Sequence, residues 1–303
     1  MPTVLIGGGT GLVGSRLSER LEAKGYTVIH LSRTADPDAR FPAYHWDTDA
    51  GTIDPEAVKQ ADYVINLAGA GIADKPWTQA RKDLIISSRT ETTALLRRSF
   101  TDLEHRPQAF ISSAAIGYYG DRGDTMLTEE AQPGEGFLSE SCVEWEKAIR
   151  QVSDTGIRTV GIRIGVVLST EGGALEKMLL PLKAGISTYF GSGQQWYSWI
   201  HIDDLCDLFI HAVEQGSMYG FYNGVAPHPV RNKELARTLL SASAKKGLVL
   251  PAPAFAMRIA MGEMADVVLQ STRVSSEKTE QTGFIFQYPE LEPALVDLLD
   301  TRF

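Results

Sequence analysis

The chain has 303 residues, 43% of them hydrophobic and 22% charged, enough apolar side chain for one large core or two lobes. Its net charge of −9 argues against nucleic acid or an anionic membrane surface as the main partner. No apolar run is long enough to cross a bilayer, because Arg163 and Arg258 interrupt the best candidates. The two cysteines, Cys142 and Cys206, fall in helix-patterned segments, so buried thiols are expected rather than a disulfide. The N-terminus lacks a basic leader and enters a strand at once, which fits a cytoplasmic protein.

Val4, Leu5 and Ile6 form that first strand, and Gly8, Gly11 and Gly14 follow at the spacing G-x-x-G-x-x-G. An amphipathic stretch, SRLSERLEAKG, comes next. In this strand–turn–helix context Gly8 permits the tight turn and Gly11 lets backbone approach a pyrophosphate. Gly14 allows close packing of a helix whose amides and dipole face the anion. Gly8, Gly9, Thr10, Gly11, Leu12 and Val13 are therefore candidate phosphate-loop residues. A second strand, 26–32, ends in Ser32-Arg33-Thr34, where a dinucleotide fold selective for NAD carries an acid. A guanidinium pairs bidentately with a 2′-phosphate and a serine hydroxyl adds a bond, so Ser32 and Arg33 point to NADP over NAD. Asp36 and Asp38 come too late in the chain to replace that acid.

Further strands are expected at 43–46, 61–69, 109–116 and 157–168, with helices after Trp77 to about Phe100 and over 138–152. Apolar strands alternating with helices predict an α/β fold, a Rossmann doubly wound parallel sheet. Beyond Ser169 the pattern shortens and becomes mixed, and proline-rich VLPAPAF (249–255) leads into a helical C-terminal segment. The expected division is a dinucleotide-binding domain over 1–170, to which 198–222 returns, and a smaller, mostly helical lobe over 171–303. That lobe would close over the carboxyl edge of the sheet, where ligands of such folds bind.

GGGTGLVG, NLAG (66–69), SSAAIGYYG (112–120), RIGVVL (163–168) and WIHIDDL (199–205) occur in the order found in extended short-chain dehydrogenases and nucleotide-sugar epimerases. The chain resembles that family over about its first 220 residues. GEMADVVLQSTRV (262–274) and GFIFQYPELEPAL (283–295) resemble the C-terminal segment of one atypical branch, the epimerase-like proteins of unknown substrate. The resemblance implies that Leu67, Ala68, Gly69, Arg89 and Ser112 lie near the cofactor, and that Ser112 or, better, Ser113 is the active-site serine. It also implies Tyr-x-x-x-Lys on a helix, where lysine and nicotinamide depress the tyrosine pKa. None of the ten tyrosines here has a lysine four residues later, and the residue four before Lys147 is Val143. The atypical branch is described as sharing this loss.

Substitute groups are available. Ser113 could hold a substrate carbonyl, or merely satisfy backbone at a strand end. Tyr118 and Tyr119 follow on the ligand edge and are candidate proton donors, or packing tyrosines. Lys147 is a third candidate, although it falls off the Leu138, Cys142, Trp145, Ile149 stripe and reads equally as a solvated lysine. Arg163 either faces the cleft or pairs with a surface acid. His201, Asp203 and Asp204 fit helix capping better than a metal site. The expected activity is hydride transfer on a small carbonyl, hydroxyl or sugar-nucleotide-like substrate, by a monomer or homodimer. The alternative is a non-catalytic NADP-binding regulator or redox sensor.

Overall fold

The computed structural model describes residues 1–101, 103 and 105–300, so the last three residues of the expected lobe, 301–303, lie outside the described residues. β1 (Thr3–Gly7) and α1 (Leu12–Ala23) open the chain, followed by β2 (Thr27–Ser32), β3 (Ala43–Asp47), β4 (Thr52–Ile53) and α2 (Pro55–Lys59). β5 (Tyr63–Asn66), α3 (Gln79–Ser99), β6 (Ala109–Ala115) and β7 (Met126–Leu127) precede α4 (Phe137–Ser153), β8 (Arg158–Ile164) and β9 (Val166–Leu168). Then come α5 (Gly173–Leu182), β10 (Ile186–Phe190), β11 (Trp196–Tyr197), β12 (Trp199–His201), α6 (Ile202–Glu214) and β13 (Gly220–Gly224). β14 (Val230–Arg231), α7 (Asn232–Ala242), β15 (Leu248–Ala252), α8 (Ala254–Met261), α9 (Asp266–Leu269), β16 (Arg273–Val274), α10 (Glu277–Glu280) and α11 (Leu291–Asp300) complete it.

The central sheet has eight strands in the order β13-β8-β6-β5-β1-β2-β3-β4, parallel throughout except for β4. From β1 the chain winds outward through β2 and β3, then restarts at β5 on the other flank. The order reverses between β1 and β5, and the crevice outside their carboxyl ends is where such folds place ligands. Alternation along the strands sets the two faces: Val4, Ile6, Ile65 and Ile111 join a core with Leu17, Leu21, Leu205 and Phe209. Leu5, Ile29, Val64 and Phe110 join the opposite core with Leu95, Leu96, Trp145 and Ile149. The ordinary rule for doubly wound sheets, helices on both faces and strands apolar on both, is thus met.

The stretch 157–168 is not one strand. It breaks at Gly165, where a Cβ would stand 2.4 Å from the Ser198 carbonyl oxygen. Relief of that crowding lets β8 stay in the sheet beside β13 while β9 turns away to pair with β12. α6 lies along α1, held by Arg16 and Arg20 reaching Asp203 and Asp207. The C-terminal part is helix-rich, with the short strand pairs β10–β15 and β11–β14 set among its helices, and β16 pairs back with β7 of the earlier part. Both cysteines are buried and free, and no helix among the described residues is long and apolar enough to cross a membrane.

Candidate cofactor and substrate site

At the end of β1 the chain turns through Gly8, whose φ of +82° is a left-handed conformation that favours glycine. A Cβ there would also meet Ala68 N and Leu67 C at 2.9 Å. Gly14 is packed against the loop itself: its Cβ would lie 2.2 Å from the Gly8 carbonyl oxygen. Gly11, the N-cap of α1, differs, since a Cβ there meets only Gly8 O at 3.4 Å and its outer side is open. The first α1 amide to find a main-chain carbonyl is Ser15, bonded to Gly11 O, so the preceding turn still presents its N–H groups. That combination of exposed amides, a helix dipole and space for close approach suits an anion. Beneath Gly9 lies His30, buried, exchanging a hydrogen bond of 2.8 Å with Ser18 Oγ, and burial lowers its pKa so that the floor is neutral.

Along the same edge β2 ends at Ser32, whose hydroxyl accepts the Thr34 N–H. Arg33 is exposed and has no carboxylate partner among the described residues. Asp36 is engaged elsewhere: its backbone bridges Ala43, and its carboxylate accepts the Asp38 N–H. At the end of β5, the Asn66 side chain accepts from Ala68 N–H and donates to Thr93 Oγ1, fixing the Leu67–Gly69 turn. The Arg89 side chain lies against Gly69, within 3.1 Å of where a Cβ would be, and its guanidinium sits 4.9 Å from the Trp145 ring centroid. Arg89 donates to the Ile85 carbonyl and forms no ion pair among the described residues; burial pulls its pKa down from the ordinary arginine value.

Ser112 and Ser113 are both buried at the end of β6, and their hydroxyls are turned onto main-chain carbonyls. Ser112 donates to Ser113 O, and Ser113 donates to Asn66 O at 3.2 Å. Just beyond, Gly117 packs against α4, where a Cβ would be 3.4 Å from Cys142 Sγ and 3.8 Å from Leu138 Cβ. The four-apart pair of α4 that faces this turn after β6 is therefore Leu138 and Cys142, not Val143 and Lys147. Lys147 falls off this buried stripe, as its spacing predicts. The Lys147 side chain is 65% exposed and lies 3.8 Å from Glu144, so it is not brought to the site. Burial pushes the Cys142 thiol up to about 12 and leaves it protonated.

The two tyrosines separate sharply. Tyr119 is fully buried, its hydroxyl donating to Asn223 Oδ1 at 2.7 Å and accepting from Arg163 Nη1 at 2.8 Å. Burial pushes it up to about 12, and it is not in the cleft. Tyr118 is half-buried with the Arg163 guanidinium 3.9 Å from its ring centroid, and its hydroxyl makes no hydrogen bond among the described residues. Arg163 itself pairs with no surface acid: it is 2% exposed and grips Glu146, a buried carboxylate on α4, through two bonds of 2.7 and 2.9 Å. Burial alone would lower the Arg163 pKa, but Glu146 and Tyr119 raise it above the usual arginine value. Glu146 and Asn223 escaped the sequence reading. A carboxylate four residues after Cys142, on an otherwise apolar stripe, was the available signal that a buried cation must face α4.

His201 caps α6, accepting the Asp203 N–H on Nδ1; Asp203 is drawn to Arg16, and Asp204 accepts the Gln287 and Tyr288 amides. Outside this edge, the starts of α3 and α4 and residues of the segment 263–270 line an open cavity of about 460 Å³. Trp77, Ile86, Phe137 and Leu138 form its apolar walls, the two rings edge to face with centroids 4.8 Å apart. Leu138 links it to Gly117 and the end of β6, while Trp77 Nε1 donates to Ile72 O in the turn after β5. The cavity size is within the range of small-molecule sites.

The profile of the NAD dependent epimerase/dehydratase family matches residues 4–223, and a domain of unknown function matches residues 252–298. An epimerase family protein of Staphylococcus haemolyticus is 35% identical over 303 residues, covering 99% of this chain and 100% of its own length. The human epimerase family protein SDR39U1 is 34% identical over 300 residues, covering 98% of this chain and 99% of its own. A crystal structure of human SDR39U1 with NADPH superposes with a TM-score of 0.89 at 33% identity, over 98% of this chain and 99% of that one. UDP-N-acetylglucosamine 4-epimerase of Bacillus cereus, with a TM-score of 0.80 but 16% identity over 100% of this chain and 96% of that one, shares the fold. The chain belongs to the NAD dependent epimerase/dehydratase family, as an atypical short-chain dehydrogenase/reductase whose C-terminal part is a domain of unknown function.

Proposed function

We propose that this protein is an NADP(H)-dependent oxidoreductase that exchanges hydride with a small carbonyl or hydroxyl substrate held in the cavity beside α4. The observation that carries the reading is the open approach at Gly11 against the first turn of α1, on the same sheet edge as the unpaired Arg33. The NADPH in the crystal structure of the human relative supports the same cofactor. Residues 8–13 would hold the pyrophosphate, Ser32 and Arg33 the 2′-phosphate, and Leu67, Ala68, Gly69, Arg89 and Ser112 the path toward the nicotinamide. When bound, the nicotinamide supplies or accepts hydride. Ser113, released from Asn66 O, orients the substrate oxygen. Tyr118, the tyrosine with an unengaged hydroxyl, exchanges the proton.

A second reading has its own support: both serine hydroxyls are occupied by carbonyls, and Leu138 and Cys142 take the α4 positions facing the turn after β6. On that reading the protein binds NADP(H) without turnover and its occupancy regulates a partner. Calorimetry tests the cofactor assignment. NADPH should bind at least about tenfold more tightly than NADH, and Arg33→Ala should remove most of that gap. Equal affinities in the unmodified protein sink it. Turnover of NADPH across a carbonyl panel separates the two readings, and Tyr118→Phe should then lower the rate by about 10²-fold with NADPH affinity kept.

A further inference from the structure

Hydride chemistry leaves open what the rest of the substrate carries, and the walls of the cavity bear on this. Six of its lining residues are ionisable, five of them acids: Asp83, Glu135, Glu140, Glu263 and Asp266 against Lys82. The single ammonium is already spent. Lys82 is paired with Glu263 and lies 5.2 Å from the centre of the Phe137 ring. Arg258 neutralises Asp266 from outside at 3.2 Å. Asp83 receives only a neutral amide, from Gln79 at 2.8 Å, and Glu135 and Glu140 have no cationic partner among the described residues.

A nucleoside diphosphate needs the opposite lining, because each phosphate brought beside unpaired carboxylates raises the energy by like-charge repulsion. The start of α4 offers amides at Gly136 and Phe137 that would suit an anion, but Glu135 and Glu140 flank that helix end and supply the negative charge themselves. The half-buried Trp77 and Phe137 rings add π-faces that attract a cation and an apolar wall. We propose that the cavity takes a substrate bearing a protonated amine on an apolar body, an amino alcohol or amino ketone in the chemistry above, rather than a sugar nucleotide. This rests on the reading that the cavity serves the cofactor edge, through Leu138 and the end of β6.

The test is binding of three isosteric probes, 2-phenylethylamine, 2-phenylethanol and 3-phenylpropionate, with UDP-glucose as the fourth. Each is titrated by calorimetry into the full chain with and without NADPH. The amine should bind at least about tenfold more tightly than the alcohol, and the propionate and UDP-glucose more weakly than either. In the Glu135→Gln/Glu140→Gln variant, whose changes are at exposed positions and which leaves Asp83 in place, the preference for the amine over the alcohol should fall while NADPH affinity is unchanged. An amine that binds no better than the alcohol, a preference untouched by the double variant, or tighter binding of UDP-glucose each overturns the proposal. Failure of NADPH to bind strikes the proposed oxidoreductase function instead, since probe binding without NADPH is read separately.

Discussion

Gly11 and Gly14 carry the same side chain, or lack of one, for two different reasons. At Gly14 the neighbour is backbone 2.2 Å from a Cβ position, so Gly14→Ala forces α1 off the loop and should lower the melting temperature of the protein without cofactor. At Gly11 there is room, so Gly11→Val should leave that melting temperature nearly unchanged while abolishing NADPH binding. Thermal melts and calorimetry on the pair separate the two roles; unimpaired binding by Gly11→Val would place the cofactor elsewhere. The Arg163–Glu146 pair is a residue-scale matter of another sort. Both members are within 2% of full burial, and removing one strands the other's charge. Glu146→Ala should cost about 3–5 kcal/mol. Replacing both, as Glu146→Leu with Arg163→Met, should cost less, and a denaturant titration in which the double variant is the weaker of the two refutes this account.

At the scale of elements, much was legible. The alternation of β-branched and apolar runs with helical stretches predicts strands at 26–32, 43–46, 61–69 and 109–116, where the structure has them at 27–32, 43–47, 63–66 and 109–115, and the glycine spacing predicts the loop between β1 and α1. The carriers of that information are local: periodicity, turns and the residue at a strand end. What was not legible depends on partners distant in sequence. Gly165 looks like any strand glycine until Ser198, from another element, arrives against it. The α4 stripe of Leu138, Cys142, Trp145 and Ile149 was legible from periodicity, but what it packs on, Gly117 against Cys142 and Leu138, was not. Tyr118 and Tyr119 are adjacent in sequence, yet a turn sends one into a buried network and leaves the other half-exposed. The Trp77–Phe137 wall joins two helix starts about sixty residues apart, a proximity that only the packed fold supplies.

For the molecule as a whole, the histidines set a response to acid. His30, His201 and His211 are all held below the ordinary value, chiefly by burial. The unfolded chain therefore takes up protons near about pH 6.5 that the folded chain resists. Their contribution is complete above that pH and is lost as the pH falls below it. Midpoints of chemical unfolding should be flat from about pH 8 to about pH 7 and decline from about 6.5 toward 5. A midpoint that rises over that interval contradicts the sign. Two of these rings sit where α6 meets the C-terminal part: His201 stacks on Tyr288 and lies 3.4 Å from Asp297, and His211 bonds Thr282 Oγ1 at 2.9 Å. Acid thus bears on that junction. The junction also reaches the polar centre of the sheet edge. Asn223, which receives the Tyr119 hydroxyl, donates its side-chain amide to Ser275 O and has its own carbonyl capped by Thr279 Oγ1. All eight strands of the central sheet are complete by Gly224, yet two of Asn223's partners, Ser275 and Thr279, come from 52 and 56 residues further along the chain. The segment beyond 250 is a stopper for the sheet: it completes the polar network at Asn223 and adds Phe284, Phe286, Leu295 and Leu299 to the core.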